Sequence, residues 1–452
     1  FEILQSKIDQ HLIQWKKESN GETALLIEGA RRVGKSYIVE QFAKNEYDSY
    51  MLIDFSNANA LVKSWFDDYL DDLDSLLNNL QLYYKKRLSP RKSLIIFDEI
   101  QNCPRARQAI KPLVADGRFD YIETGSLISI KKNVKDIQIP SEEDSLEMFP
   151  MDFEEFLWAL GEDMLMPYIE RQFKQRQPMG GFHRRAMEYF RQYLIVGGMP
   201  QAVLEYSKTK DFERVDDNKR RILKLYRDDI NKYADNLEVK VSSIFDEIPS
   251  QLQKHEKKFR LSALQPGASY RDYYDAFFWL SDASIINVCY GCTAPNIGLR
   301  LNMERNTLKC YMGDTGLLIS HAFDEKGRTP TEIYQKLILG KLEVNEGMLI
   351  ENIVAQMLTA SGHKLYFYSN SDRDNADERM EIDFLTAKSN LTTRHNITPI
   401  EVKSSQRYTL SSLRKCIKKF GNYLTEPCVI HAADLKEEDG ILFLPIYMTP
   451  FL

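Results

Sequence analysis

The chain has 452 residues, of which 43% are hydrophobic and 28% are charged, and its formal net charge is −6. This length exceeds what one hydrophobic core supports, so several domains are expected, and the composition excludes a long disordered tail. The modest negative charge argues against nucleic-acid binding by the whole molecule, although a local basic face stays open.

Strand-like and helical segments alternate in the first 150 residues. Four apolar runs have the composition of buried strands: 23–28, 50–56, 93–100 and 119–126. Amphipathic stretches with helical spacing separate them. This alternation favours a parallel α/β sheet.

A phosphate-binding loop is predicted where the first strand ends. Residues 29–36, GARRVGKS, match the pattern GxxxxGK[ST] between a predicted strand and a predicted helix. Glycines let backbone N–H groups point at phosphates, at a helix N-terminus that also favours an anion. Lys35 is predicted to reach the outer phosphates of ATP, and Ser36 to ligate Mg²⁺. The predicted ATP-binding residues are Gly29, Ala30, Arg31, Arg32, Val33, Gly34, Lys35, Ser36 and Tyr37. The alternative is a plain glycine turn before a helix.

Two carboxylates close the apolar strand SLIIF. Asp98 is predicted to hold Mg²⁺ together with Ser36, and Glu99 to polarise the attacking water, which implies ATP hydrolysis. At the end of the next strand, Thr124 and Ser126 offer hydroxyls beside the γ-phosphate, although an ordinary strand-to-loop turn explains them equally well. The predicted catalytic residues are Lys35, Asp98, Glu99, Thr124 and Ser126.

The middle of the chain is predicted to be helical up to about residue 234, with one break at the VGGMP of residues 196–200. Residues 240–325 mix amphipathic helices with β-rich stretches, an order compatible with a winged helix.

The CYGC of residues 289–292 has the spacing of half a zinc site, but no second pair completes it. A hairpin with half-buried thiols is therefore preferred. The six scattered cysteines are expected to be reduced.

The last part of the chain is predicted as helix, three strands, basic helix and two further strands. Glu351 lies on the first helix and Asp383 on the second strand, whereas Glu401 and Lys403 share one face of the third. A hairpin of the second and third strands would bring Asp383 beside Glu401 and Lys403, giving two or three carboxylates and a lysine around one point. Carboxylates suit Mg²⁺ or Mn²⁺. Asp383 and Glu401 are therefore the candidates for a second metal site. The alternative is a set of charged strand ends without a ligand.

Basic residues follow this constellation. From Lys403 to Lys419 six residues are basic and none is acidic. Such a stretch suits phosphates, which makes DNA one candidate partner, whereas a solvated helix face is the other interpretation.

Several segments taken together resemble a known group of proteins. GARRVGKS, IIFDEIQNCP, ETGS and PMDFEEFLWAL, in this order, resemble the AAA-type ATPases of bacteria and archaea, in which a C-terminal domain of unknown function follows the ATPase domain. VGGMPQAVLEY and YMGDTGLL are similar to that second half. The resemblance implies an additional-strand P-loop sheet, a helical region and a winged helix. The order of the last elements and the spelling D…ExK resemble the PD-(D/E)xK nuclease superfamily, which includes restriction enzymes and Holliday-junction resolvases.

The chain departs from that group at residues 140–145. Where the group has a glycine followed by a basic residue, this chain reads PSEEDS, so this loop offers no arginine finger to a neighbouring subunit. Arg105, Arg107 and Arg118 are the remaining candidates.

The predicted fold class is α/β. The predicted regions are an AAA-type P-loop ATPase domain at 1–150, a helical lid-like region at 151–235, a winged-helix-like domain at 236–330 and a restriction-endonuclease-like α/β domain at 331–452.

The predicted function is ATP binding and hydrolysis that control the C-terminal domain, with DNA as a candidate target. The alternative is a nucleotide-dependent switch or scaffold whose inactive nuclease-like domain binds a protein partner. A ring-forming motor is a third hypothesis, and the acidic segment 142–144 argues against it. The formation of oligomers stays open. The amphipathic start and the lack of a run of roughly 18 apolar residues predict a cytoplasmic protein without membrane attachment.

Overall fold

The computed structural model of the chain describes residues 4–342, 344–388 and 394–452. Two compact units are present. The N-terminal unit comprises residues 1–149 and 278–284, and the C-terminal unit comprises residues 150–277 and 285–452. None of the helices within the described ranges combines the length and the hydropathy that crossing a bilayer requires.

The N-terminal unit contains a five-stranded sheet with helices on both faces. Its strands are β1 (Ala24–Glu28), β2 (Ser49–Asp54), β3 (Ser93–Asp98), β4 (Asp120–Gly125) and β5 (Glu143–Glu147). Its helices are α1 (Ile8–Ser19), α2 (Lys35–Glu46), α3 (Ala60–Asp68), α4 (Leu73–Tyr84), α5 (Pro104–Gln108), α6 (Ile110–Asp116) and α7 (Lys131–Val134).

All neighbouring strands of this sheet are parallel, in the order β2-β3-β4-β1-β5. β4 therefore lies between the strand that precedes the predicted phosphate loop and the strand that ends in the two carboxylates. This is the additional-strand arrangement that the sequence predicts. The carboxyl ends of parallel strands meet at one edge of a sheet, which brings the predicted nucleotide-site residues together.

The central strands are buried on both faces, which explains their continuous apolar runs. On β3, Ile95 and Phe97 join a core with α3, α4, α5 and α6, whereas Leu94 and Ile96 join a second core with α1 and α2. β5 differs because its residues, EDSLE, are largely polar and it pairs with β1 alone. Residues 140–145, which are predicted as a loop, thus contribute to an edge strand.

The C-terminal unit contains an eight-stranded mixed sheet. Its strands are β6 (Ile286–Cys292), β7 (Met303–Met312), β8 (Tyr366–Asn370), β9 (Met380–Ala387), β10 (Ile397–Val402), β11 (Cys428–His431), β12 (Lys436–Glu438) and β13 (Ile441–Pro445). Their order across the sheet is β12-β13-β11-β10-β9-β8-β6-β7.

The helices precede or interrupt these strands along the chain. They are α8 (Phe153–Ala159), α9 (Leu165–Lys174), α10 (His183–Val196), α11 (Pro200–Thr209), α12 (Phe212–Tyr233), α13 (Glu238–Gln253), α14 (Tyr270–Asp282), α15 (Thr315–Ala322), α16 (Thr331–Ile338), α17 (Val344–Ala360) and α18 (Ser411–Phe420). The last residues of α14 belong to the N-terminal unit.

The final segment follows the predicted succession of elements. α17 precedes β8, β9 and β10, and α18 stands between β10 and β11. β8 with β9 and β9 with β10 are antiparallel pairs, whereas β10 and β11 are parallel. The hairpin of β6 and β7 extends the same sheet because β6 pairs in parallel with β8. A winged-helix arrangement of residues 236–330 stays a prediction.

The cysteines lie in the interior. All six carry free thiols and are buried, including Cys289 and Cys292 of the CYGC segment. Cys289 and Cys292 are buried completely rather than by half, since β6 lies inside the sheet between β7 and β8. The preferred hairpin interpretation of this segment agrees with the pairing of β6 and β7.

Two glycine-containing motifs meet in the C-terminal unit. The Gly198 N–H donates to Oδ1 of Asp314 at 2.7 Å, and the Leu317 N–H donates to Oδ2 of Asp314 at 3.0 Å. Gly197 has a φ of +77°, and a Cβ there would lie 2.4 Å from Asp314 Oδ2. A Cβ on Gly316 would lie 2.4 Å from a backbone oxygen of the VGGMP segment. The VGGMP and DTG motifs therefore form one buried junction, which requires glycine on both sides.

Candidate functional site

The predicted phosphate loop joins β1 to α2. α2 begins at Lys35, and this lysine is only 4% exposed. Its ammonium donates to the carbonyl oxygens of Gly29 and Ala30 at 2.8 and 2.9 Å. Burial lowers the pKa of Lys35, and Glu99 and Asp98 oppose this effect. The positive charge is thus held inside the loop, where phosphate oxygens can replace the loop carbonyls as acceptors.

Hydroxyl groups from two elements converge on Asp98. The Ser36 hydroxyl donates to Asp98 Oδ1 at 2.6 Å, and the Thr124 hydroxyl donates to the same oxygen. Burial raises the pKa of Asp98, whereas the bonds from Ser36 and Thr124 lower it. Serine and aspartate oxygens are hard donors of the kind that Mg²⁺ prefers, so this pair fits a magnesium ion that accompanies ATP.

Glu99 is held in an unusual backbone conformation. Its φ of +55° lies in the left-handed region, which is uncommon for residues other than glycine and concentrates at functional sites. The Glu99 N–H donates to the Thr124 hydroxyl at 3.2 Å, and the Gln101 side-chain amide donates to the Glu99 carboxylate at 2.6 Å. Gln101 also accepts a bond from the Ser126 N–H at 3.4 Å. Sequence reasoning missed Gln101, although its place two residues after Glu99 was a usable signal.

The structure thus brings most of the predicted nucleotide-site residues together. Thr124 joins the network through its hydroxyl, whereas Ser126 joins it through its backbone. Arg31 lies close enough for its charge to lower the pKa of Lys35. Tyr37, in the first turn of α2, is 43% exposed.

The three arginines proposed as fingers are paired within the N-terminal unit. Arg107 is 8% exposed and binds the Glu143 carboxylate through two nitrogens, at 2.6 and 3.1 Å. Arg105 pairs with Asp67 at 2.8 Å. Arg118 forms its own ion pairs, with Asp116 at 2.7 Å and Asp74 at 2.8 Å. Any of the three would have to leave an ion pair to act on a nucleotide.

The predicted constellation of the C-terminal unit also gathers around one point. Asp383 accepts a bond from the Val402 N–H at 2.8 Å, and the Lys403 ammonium pairs with Glu401 at 2.5 Å. Burial raises the pKa of Asp383 to about 7, an effect to which the Glu351 carboxylate adds and which Lys309 opposes.

Glu351 has partners on both of its oxygens. Oε1 accepts a bond from the Tyr311 hydroxyl at 2.5 Å and lies 3.4 Å from the Lys309 ammonium, and Oε2 lies 3.1 Å from the Lys257 ammonium. Burial raises the pKa of Glu351, but Lys309 and Lys257 outweigh burial and hold it below its usual value. Sequence reasoning missed both lysines. A lysine within the apolar strand TLKCYM was the signal.

The C-terminal cluster does not fit a metal ion held by three carboxylates. Within the described ranges, no group of three or more His, Cys, Asp or Glu side chains has the geometry to hold a metal. Both oxygens of Glu351 already have partners, namely Tyr311 and Lys309 on Oε1 and Lys257 on Oε2. One atom stands apart, since Oε1 of Glu401 is buried and has no hydrogen-bond partner among the described residues. Burial raises the pKa of Glu401, and the Lys403 ammonium opposes this effect.

The sheet order, the loop before α2 and the contact of Ser36 with Asp98 define a P-loop nucleotide-binding fold. Residues 21–157 match the family model described as AAA domain. The N-terminal region is therefore an AAA-type P-loop ATPase domain. Residues 187–327 and 346–448 match two further family models, each described as a domain of unknown function (DUF8612 and DUF4143).

Among solved structures, the Walker-type ATPase of Pyrococcus abyssi is similar at 16% identity and a TM-score of 0.41, covering 71% of this chain and 96% of that one. A signal transduction ATPase with numerous domains (STAND) from Pyrococcus horikoshii has 12% identity, a TM-score of 0.27, and coverages of 80% and 50%. Cdc6p from Pyrobaculum aerophilum has 10% identity, a TM-score of 0.26, and coverages of 76% and 96%. No curated protein matches the sequence.

Proposed function

We propose that the chain binds and hydrolyses Mg²⁺-ATP in its N-terminal domain, and that this nucleotide cycle controls its C-terminal domain. The observation that carries the first part is the 2.6 Å contact of the Ser36 hydroxyl with Asp98, beside the buried ammonium of Lys35. Ser36 and Asp98 would hold Mg²⁺, which when bound supplies positive charge to the phosphates. The six buried, free thiols support a cytoplasmic location.

The residues around Asp98 have separable roles in this proposal. Lys35 exchanges the carbonyls of the loop for phosphate oxygens and so orients the nucleotide. Glu99 accepts or orients the proton of the attacking water, and Gln101 fixes the direction of its carboxylate. The Thr124 hydroxyl accepts a hydrogen bond from the Glu99 N–H and donates one to the Asp98 carboxylate. A displacement of Glu99 or of Asp98 is therefore transmitted to the other residue through Thr124.

The role of Glu99 can be separated from ATP binding. The substitution Glu99→Gln removes the carboxylate but keeps the shape of the side chain, so ATP turnover is expected to fall roughly 100- to 10,000-fold. Binding of a fluorescent ATP analogue is expected to persist, since Lys35 and Ser36 are unchanged. Glu22→Gln, at an exposed position, is the matched control and should keep the turnover of the wild type. Unchanged turnover in Glu99→Gln would remove Glu99 from the mechanism.

The C-terminal region supports a nuclease-like fold. Its succession α17, β8, β9, β10, α18, β11, with two antiparallel pairings and then a parallel one, has the order of elements that the resemblance to the PD-(D/E)xK superfamily implies. The geometry favours the alternative in which this domain does not cleave and binds a protein partner. Tyr311 and two lysines already contact Glu351. Part of the basic helix is also paired, because Lys419 contacts Glu378 and Lys415 donates to backbone oxygens.

A metal-dependent nuclease that acts on DNA is the second candidate function. The observation that favours it is the buried Oε1 of Glu401, which lacks a hydrogen-bond partner among the described residues and belongs to a carboxylate near Asp383 and Lys403.

A cleavage assay distinguishes the two candidate functions. The protein is incubated with linear, branched or single-stranded DNA and with Mg²⁺ or Mn²⁺, in the presence and absence of ATP. We expect ATP turnover without cleavage in the wild-type chain, because Glu351 already has lysine partners. Lys35→Ala and Asp383→Ala are the comparison variants. Cleavage that disappears in Asp383→Ala and changes in Lys35→Ala would instead establish an ATP-controlled nuclease.

A further inference from the structure

A lysine from outside the nuclease-like segment reaches the centre of its acidic cluster. Lys309 lies on β7, before the region of residues 331–452, and its side chain is 0% exposed. We infer that the Lys309 ammonium is a built-in counter-ion that takes the place of a divalent cation between Glu351 and Asp383 and keeps this cluster in a non-cleaving form. The inference rests on the proposed nuclease-like fold and specifies why that fold would not cut.

The contacts of Lys309 fix its position. Its ammonium lies 3.4 Å from Glu351 Oε1 and donates to the backbone oxygen of Asp383 at 3.2 Å. It also lies over the rings of Phe367 and Phe384, at 4.7 and 5.7 Å from their centroids. An ammonium has three N–H donors, and a carboxylate, a carbonyl and an aromatic face provide partners for them. The side chain therefore has no need of solvent in this position.

The charge of the cluster is balanced without a metal ion. Lys309 and Lys257 both contact Glu351, one on each carboxylate oxygen. Two ammonium groups bring the same total charge as one divalent cation. Burial lowers the pKa of Lys309, but Glu351 and Asp383 outweigh burial and hold it above its usual value, so the group stays charged.

A divalent cation would have to displace these groups. Mg²⁺ requires oxygen ligands at about 2.0–2.1 Å, and it would have to compete with the ammonium and the Tyr311 hydroxyl for Glu351 Oε1. The buried ammonium also repels a second cation a few ångströms away, in surroundings that screen charge poorly. Lys403 differs because it directly follows β10, pairs with Glu401 and is 23% exposed, so it can move into solvent.

The experiment measures Mn²⁺ binding by electron paramagnetic resonance on the full chain, without nucleotide. The Lys35→Ala background keeps the contribution of the phosphate loop equal in all samples. In this background, the Lys309→Gln variant is expected to bind one more Mn²⁺ per chain than the chain that retains Lys309. Adding Asp383→Asn to Lys309→Gln should remove that extra ion. Lys309→Arg keeps the charge and should gain none. Lys364→Met, at an exposed position, is the matched control and should also gain none.

Two outcomes would overturn the inference. The first is that the chain that retains Lys309 binds Mn²⁺ and loses it in the Asp383→Asn variant. This measurement does not need Lys309→Gln, so it remains decisive if that variant does not fold. The other is a folded Lys309→Gln chain without the extra ion. ATP turnover, measured with and without Lys309→Gln in the otherwise wild-type chain, tests the proposed ATPase separately, so intact turnover with a failed Mn²⁺ result removes only the inference.

Discussion

Replacing Lys35 with alanine is expected to lower ATP turnover by roughly 100- to 1000-fold, the range found when one preorganised electrostatic contact to reacting charge is removed. The Lys35 ammonium is buried and held by two carbonyl oxygens of the loop, so it needs little reorganisation to meet phosphates. Its loss removes the positive charge closest to the place where the outer phosphates would lie. Steady-state phosphate release, with binding of a fluorescent ATP analogue on the same samples, measures both effects.

Lys44 is the matched control for this substitution. It lies on the same helix, α2, but its side chain is 47% exposed and its ion pair with Glu40 spans 3.6 Å. Exposed pairs of this kind contribute about 0–1 kcal/mol, so Lys44→Ala should leave both turnover and stability close to those of the wild type. Equal turnover in Lys35→Ala and Lys44→Ala would show that residues 29–36 do not act on ATP.

Replacing Asp314 with alanine is expected to destabilise the C-terminal unit by about 2–5 kcal/mol. The carboxylate accepts the backbone N–H groups of Gly198 and Leu317, and its removal leaves both donors buried without an acceptor. Hydrogen exchange followed by mass spectrometry measures the effect, since peptides of α10 and α15 report on the two sides of the junction. Protection in both peptides should fall together.

Asp217→Ala provides the comparison for Asp314→Ala. Asp217 is exposed on α12, and substitutions at such positions change stability by about 0.5 kcal/mol or less. If protection in α10 and α15 survived Asp314→Ala, the two motifs would not depend on each other for stability.

The strands and the loop around the predicted nucleotide site could be read from the sequence because local patterns determine them. The strands that carry Gly29 and Asp98 at their ends are buried on both faces, so their apolar runs are continuous and end where the functional residues begin. The sequence also predicted the succession α17, β8, β9, β10, α18, β11 and β13. β5 and β12 were not predicted, because EDSLE and KEE carry no hydrophobic pattern and become strands only by pairing with a neighbour.

The partners of the charged side chains could not be predicted. Arg107 and Glu143 are 36 residues apart, and Lys309 and Glu351 are 42 residues apart. These contacts depend on which elements the fold brings together, and nothing in the spacing of the residues encodes that. Sequence reasoning therefore placed Glu351 in the nuclease-like constellation without its partners, whereas the structure gives it two lysine partners.

The junction of the VGGMP and DTG motifs also constrains how the chain folds during synthesis. Gly198 and Asp314 are 116 residues apart, and at cellular elongation rates that distance takes roughly 6–23 s to translate. For most of this interval α10 and α11 have already been synthesised, but the carboxylate that holds the glycine loop between them has not been made. The nascent chain therefore presents these helices to chaperones and proteases before the rest of the unit can cover them.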